Sequence, residues 1–183
     1  MNIHLEFPHD YKVELDHSLS GRESEPVSYF PGGSQEGGRD GVMVKIMPDH
    51  GKSWFGVFSG IGEGVYGWPD GKSLCVVAGH TAYLGQADDP HSWTIIMKDV
   101  LQTLQAPEMN LTIFVSYMNI AAYRVNGIFW ETERIGFGDD LKILDIKNGW
   151  AHGQYYDPTN RDKPIVDFQL DLEVGRLAPL PKK

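Results

Sequence analysis

Residues 65–83 read Val-Tyr-Gly-Trp-Pro-Asp-Gly-Lys-Ser-Leu-Cys-Val-Val-Ala-Gly-His-Thr-Ala-Tyr, and residues 103–123 read Thr-Leu-Gln-Ala-Pro-Glu-Met-Asn-Leu-Thr-Ile-Phe-Val-Ser-Tyr-Met-Asn-Ile-Ala-Ala-Tyr. In each stretch a strand-like run meets a proline, Pro69 or Pro107, and a three-residue polar turn follows. An apolar strand comes next, Leu74 to Ala78 or Leu111 to Ser116. A short turn then leads to a strand carrying Ala82-Tyr83 or Ala122-Tyr123. Each stretch is followed by a tryptophan, Trp93 or Trp130. The prolines stand 38 residues apart, the tyrosines 40 and the tryptophans 37. A period of about 40 with three or four short strands is the size of one β-propeller blade. Each unit is then a small antiparallel meander with an apolar face that a neighbouring sheet must cover. On this reading Tyr83 and Tyr123 are equivalent positions.

The segment between the two stretches also fits a helix. Trp93, Ile96, Met97, Val100, Leu101 and Leu104 fall at helical spacing, and Asp89-Pro90 would serve as N-cap and first turn. The repeat instead places strands there, Trp93 to Met97 and Val100 to Gln105, turned at Lys98-Asp99, and that reading is preferred. Nearer the start, Ile3 to Phe7 and Tyr11 to Leu15 alternate apolar and polar residues around Pro8-His9-Asp10, the pattern of a hairpin. Ser18 to Gly41 is polar and glycine-rich and is expected to be a mobile loop. Val42 to Ile46 and Trp54 to Phe58 resume the strand pattern. Further on, Lys147-Asn148-Gly149 marks a hairpin, and Val166, Phe168, Leu170 and Leu172 alternate with outward Asp167, Gln169 and Asp171. No linker separates two domains. The expectation is one all-β domain over residues 1–183, made of antiparallel meanders. Two to three blade-like sheets would pack as an open propeller fragment or a sandwich.

Composition limits the function classes. Apolar residues are 41% of the 183 and charged residues 22%, enough apolar content for a core. Twenty-one Gly and eleven Pro favour many turns over a helical bundle. A net charge of −9 is the wrong sign for a protein that holds nucleic acid by neutralising phosphates. No apolar run approaches the ~20 residues of a membrane helix, and Met1 to Asp10 carries no apolar signal-peptide core. Cys75 is the single cysteine, so no intrachain disulfide forms. Together these features lead to the expectation of a cytoplasmic protein without nucleic-acid or membrane partners.

The candidate chemistries are thin. The glycines at 60, 62 and 64 lack the Lys-Ser/Thr ending of a phosphate loop and fit bends between strands better. The seven histidines show neither helical i, i+4 pairing nor Cys/His clustering, so no metal or other cofactor is expected. Cys75, inside Leu-Cys-Val-Val-Ala, reads as a small core hydrophobe. For acid/base hydrolysis the best pair is Glu131 and Glu133, which alternation puts on one strand face, with Asp139-Asp140 following closely; two such carboxylates can bracket a glycosidic bond. An exposed strand face gives the same pattern without chemistry. No catalytic residue is assigned. Of the five tryptophans, at least three are expected to fill the space between sheets.

Gly64-Val65-Tyr66, Pro69-Asp70, Leu74 to Gly79, Ala82-Tyr83-Leu84, Asp89-Pro90, Trp93, Ala122-Tyr123, Gly127 to Thr132, Phe168, Asp171-Leu172 and Gly175 form a pattern across residues 54–176. It resembles a family of small bacterial all-β proteins of unassigned function, with propeller-blade-like meander repeats. The resemblance implies a fold and carries no catalytic residue with it.

These observations lead to a non-catalytic, acidic interaction protein, in its concrete form an immunity-type inhibitor that covers a basic toxin. The expected partner-binding residues are Asp88, Asp89, Glu131, Glu133, Asp139 and Asp140. The alternative is a carbohydrate or small-molecule binder, hydrolytic in one version, using exposed aromatics and paired carboxylates. A third reading makes the chain one module of an oligomer that completes its sheets by symmetry.

Overall fold

A computed structural model describes residues 2–16, 25–31, 41–135 and 140–178. The chain divides into two compact units, Met1–Lys98 and Asp99–Lys183, and the boundary falls at the Lys98-Asp99 turn with no linker sequence around it.

The first unit holds two sheets. One contains β2 (Tyr11–Asp16), β3 (Val27–Phe30), β4 (Gly41–Pro48) and β5 (Trp54–Ser59) in the order β2-β4-β5-β3. The other contains β1 (Asn2–His4), β6 (Gly62–Gly67), β7 (Ser73–Ala78), β8 (Thr81–Gln86) and β9 (Thr94–Met97), consecutive in space. Alternate residues of β4 and β5 (Val44, Ile46, Trp54 and Phe58) meet Val65, Leu74, Val76, Ala78 and Tyr83 in one core. Aromatic rings fill its centre: Phe30 stacks on Phe58 at 4.9 Å, and Trp93 lies 5.0 Å from Phe58 and edge-on to Trp54 at 5.9 Å.

The second unit also has two sheets. The first is the meander β10 (Val100–Ala106), β11 (Leu111–Ser116), β12 (Ile120–Arg124) and β13 (Gly127–Glu131). The second is β14 (Lys142–Lys147), β15 (Trp150–Tyr156), β16 (Ile165–Asp171) and β17 (Arg176–Ala178). Leu111, Ile113, Val115, Ile120 and Ala122 from the first sheet share a core with Ile143, Ala151, Phe168, Leu170 and Leu172. β16 reads as its sequence requires, with Phe168 and Leu170 inward and Asp167 exposed. The architecture is all-β and built from antiparallel meanders. Only β1–β6 and β3–β5 pair in parallel among the described strands.

Both halves of the repeat are four-stranded meanders, β6 to β9 and β10 to β13, and residues 94–97 and 100–106 are strands. The tyrosines do not coincide, however. The β7–β8 hairpin closes on the pair Ala78–Thr81, and Tyr83 stands two residues past it, opposite Val76. The β11–β12 hairpin closes where Ser116 N–H donates to Asn119, and Tyr123 stands four residues past, opposite Thr112. The two therefore share a face but not a rung. The true counterpart of Tyr123 is Gly85, and the Trp93 ring lies over Gly85. The same place is filled by a ring in both meanders, from within the strand in one and from the following tryptophan in the other.

Two expectations near the start need correction. Residues 3–7 and 11–15 are not a hairpin: β1 pairs in parallel with β6, whereas β2 pairs with β4 in the other sheet. Alternation records which side is buried and not which strand is the neighbour. Buried Phe7 and half-buried Leu5 sit where the chain crosses between sheets. The stretch from 18 to 41 is not loop throughout, since β3 lies inside it and pairs with β5. Residues 17–24 and 32–40 lie outside the described residues. No helix among the described residues is long and apolar enough to cross a membrane.

Candidate functional site

At one end of the first unit, four chain segments converge and are tied by hydrogen bonds. Asp70 organises the turn into β7: its Oδ1 accepts from the Lys72 and Ser73 N–H groups at 2.9 and 2.7 Å, and its Oδ2 accepts from Ser73 Oγ at 2.6 Å. Gly71 has φ +71°, and a Cβ there would stand 2.8 Å from the Pro8 carbonyl oxygen, so only glycine lets the segment before β2 come this close. The Asp10 N–H donates to Gly71 at 2.9 Å, Asp49 N–H to Asp10 at 2.9 Å, and Ala87 N–H to Lys72 at 2.9 Å. Beneath them two side chains join the sheets. Tyr11 OH on β2 donates to the Ser73 carbonyl at 2.8 Å, and Trp54 Nε1 on β5 donates to the Ala87 carbonyl at 2.8 Å. Burial pushes the Tyr11 hydroxyl well above its ordinary value, and the Asp70 charge adds to the effect, so it remains a phenol and a donor.

These braced segments enclose a cleft of about 180 Å³. Its apolar floor is Tyr11, Pro48 and Ala87, and its polar groups are Asp10, Asp88, Lys72 and His50, all four exposed. None of these four side chains has a partner among the described residues. Unpaired charges held on a rigid frame over an apolar floor are available to a ligand without first breaking an internal bond. Asp88 is among the expected partner-binding residues and Asp10 is not, because nothing in sequence spacing shows that residues 10, 50, 72 and 88 share one rim.

The other expected partner-binding residues divide as follows. The Asp89 carboxylate accepts from the His91 N–H at 2.8 Å, and its carbonyl accepts from Ser92 Oγ at 2.8 Å, so this residue holds a turn. Glu131, exposed at the end of β13, accepts from the Asn119 amide. Glu133 is exposed beyond buried Thr132, whose hydroxyl accepts from the Ile120 N–H at 3.0 Å. Asp140 is exposed with φ +67°, and Asp139 lies outside the described residues. Glu131 and Glu133 thus both stand exposed at the end of β13 and just beyond it.

Trp54, Trp68 and Trp93 are buried, as expected of gap-filling rings, and Trp130 and Trp150 are half-exposed. Trp130 covers Gly175 and donates to the Leu172 carbonyl at 2.8 Å. Cys75 is fully buried, and burial pushes its thiol far above the ordinary range. Among the described residues no three His, Cys, Asp or Glu side chains gather as metal ligands do.

No protein-family model and no curated protein sequence matches this chain. Among solved structures it is similar to the putative TolB from Agrobacterium tumefaciens, at 19% identity and a TM-score of 0.39. The match covers 75% of this chain and spans 56% of that one.

Proposed function

We propose that this protein is a non-catalytic binding protein for a basic protein partner, and that the cleft of the first unit receives a lysine or arginine side chain of that partner. The observation that carries the reading is the pair Asp10 and Asp88, without side-chain partners among the described residues, on hydrogen-bonded segments above an apolar floor. A long basic side chain has matching chemistry: an aliphatic stem to lie on Tyr11, Pro48 and Ala87, and a cation to meet the carboxylates. Lys72 on the same rim favours a partner that presents an acidic group beside the basic one, which fixes orientation. The net charge of −9 speeds encounter with a cationic surface. In its concrete form the partner is a basic toxin, which this protein covers in the cytoplasm as an immunity-type inhibitor.

The test is retention of basic proteins from a lysate of the source cells on the immobilised protein. A fluorescent arginine-rich peptide serves as a defined probe. Binding is expected at low salt and falls steeply as salt rises, because exposed charges are screened beyond ~10 Å at 0.1 M. Asp10→Asn with Asp88→Asn removes both carboxylates and weakens the peptide at least about tenfold. Binding that ignores both salt and the double substitution rules the reading out.

A further inference from the structure

We infer that the outward face of β14 to β16 in the second unit binds a neutral saccharide, with Trp150 as its stacking platform. The register defines this face. Trp150 stands between Lys147 and Asp171, and His152 between Asp145 and Gln169, while Ala151 and Phe168 point into the core. A cleft of about 250 Å³ opens there, lined by Lys147, Asn148, Trp150, His152 and Gln169. The Asn148-Gly149 turn, with φ +52° and +77°, carries the chain tightly from β14 to β15 and places Asn148 in the lining of this cleft.

The hydrogen-bonding state of these groups points to a ligand. Trp54, Trp93 and Trp130 donate their indole N–H to backbone carbonyls at 2.8, 3.2 and 2.8 Å. The Trp150 indole has no such acceptor among the described residues, nor do the side chains of Lys147, Asn148 and Gln169 have partners there. Two amides and an ammonium therefore line the cleft with the half-exposed Trp150 ring, and among the described residues neither they nor its indole N–H have a partner. His152 differs. Its Nδ1 meets Asp145 Oδ1 at 2.8 Å, which fixes the ring and leaves Nε2 for a further bond.

A sugar ring satisfies such a set. Its C–H face packs on an aromatic plane, and its hydroxyls are at once donors and acceptors, which amides match in pairs. The charges on this face select among ligands. Lys142, Lys147 and Arg176 balance Asp145, Asp167 and Asp171 along the strand rungs. Such a surface attracts neither a polyanion nor a polycation, so nucleic acid is disfavoured although bases also stack. The cleft is small beside common ligand pockets and suits a single sugar residue of a longer chain. This site lies in the other unit from Asp10 and Asp88, so the two proposals stand or fall separately.

The test uses four neutral probes, cellohexaose, maltohexaose, xylohexaose and chitohexaose, added at millimolar concentration to protein labelled at the tryptophan indole nitrogen. At least one is expected to shift the indole signal that disappears in Trp150→Phe. In calorimetry Trp150→Ala is expected to weaken that probe about tenfold, and Gln169→Ala several-fold. Circular dichroism confirms folding, and should Trp150→Ala unfold, Trp150→Phe and Gln169→Ala carry the comparison. Failure of all four probes to move any indole signal overturns the inference. So does binding that the Trp150 and Gln169 variants leave unchanged.

Discussion

Replacing Tyr11 by phenylalanine removes one hydroxyl and almost nothing else, and it tests how the acidic cleft is supported. Tyr11 is 2% exposed, and its hydroxyl donates across from one sheet of the first unit to the Ser73 carbonyl on the other, at 2.8 Å. A buried hydrogen bond of this kind contributes about 0.5–1.5 kcal/mol net, and a buried acceptor left with poorer satisfaction adds up to ~1 kcal/mol. The Ser73 carbonyl belongs to a strand residue paired with Gln86, which moderates that second part, so the expected loss is about 1–2 kcal/mol. For a cooperative unit of about 100 residues this lowers the melting temperature by roughly 4–16 °C. The assay is urea unfolding at neutral pH followed by tryptophan fluorescence, since Trp54 and Trp93 sit in the same core. The pH dependence gives a second readout. The folded-state value of Tyr11 is raised above the unfolded one, so its stabilising contribution is full below pH 10 and declines as pH rises beyond it. The phenylalanine variant should lose less stability between neutral pH and pH 11 than the parent, with Tyr83, also raised by burial, accounting for part of what remains. A change below ~0.3 kcal/mol at neutral pH, with an unaltered alkaline profile, would refute the bracing role.

Further expectations follow from single contacts. Gly71→Ala strains a left-handed position and presses on the Pro8 carbonyl, so it should cost about 1–3 kcal/mol and weaken arginine-peptide binding as the cleft rim shifts; unchanged melting and binding would contradict this. Gly153→Ala drives a methyl into the Phe168 ring and the Lys142 carbonyl, and a loss of about 2–4 kcal/mol is expected by denaturant unfolding. Cys75 should resist a thiol reagent in the native protein and react only after unfolding, with kinetics that follow opening of the β7 region. The Asp157 carboxyl, held down by the Thr159 hydroxyl and N–H, should titrate by carbon NMR below the ordinary aspartate range. Its contribution is present above the unfolded value and disappears as pH falls through the folded one, and Thr159→Ala should return it towards the ordinary range.

The repeat made the meanders legible because turn residues and apolar alternation act locally. Asn148-Gly149 and the alternation at 166–172 say the same thing in sequence and in structure. Partnership between strands is different. Residues 11–15 look the same whether they pair with residues 3–7 or with β4, and only the tertiary fold decides. β3 is not legible in the sequence because its four residues, Val27 to Phe30, lie within a polar stretch and gain their order from parallel pairing with β5 and from the contacts of the Phe30 ring with Phe58 and Trp93. The tyrosine equivalence slipped by two residues because an Ala-Tyr pair occurs in both strands, while the place Tyr123 fills is filled in the other meander by Trp93 over Gly85. Of the acidic candidates, composition supplied the sign of the charge but could not tell a carboxylate holding a turn, as at Asp89, from an open one, as at Asp88.

The most direct test of the account is an amide NMR titration of the whole chain with an arginine-rich peptide at low salt, repeated with Asp10→Asn and Asp88→Asn. The account expects shifts concentrated at residues 8–11, 48–51, 70–73 and 86–89, and their loss in the double variant. Shifts centred on other surfaces, or none at all at saturating peptide, would contradict it.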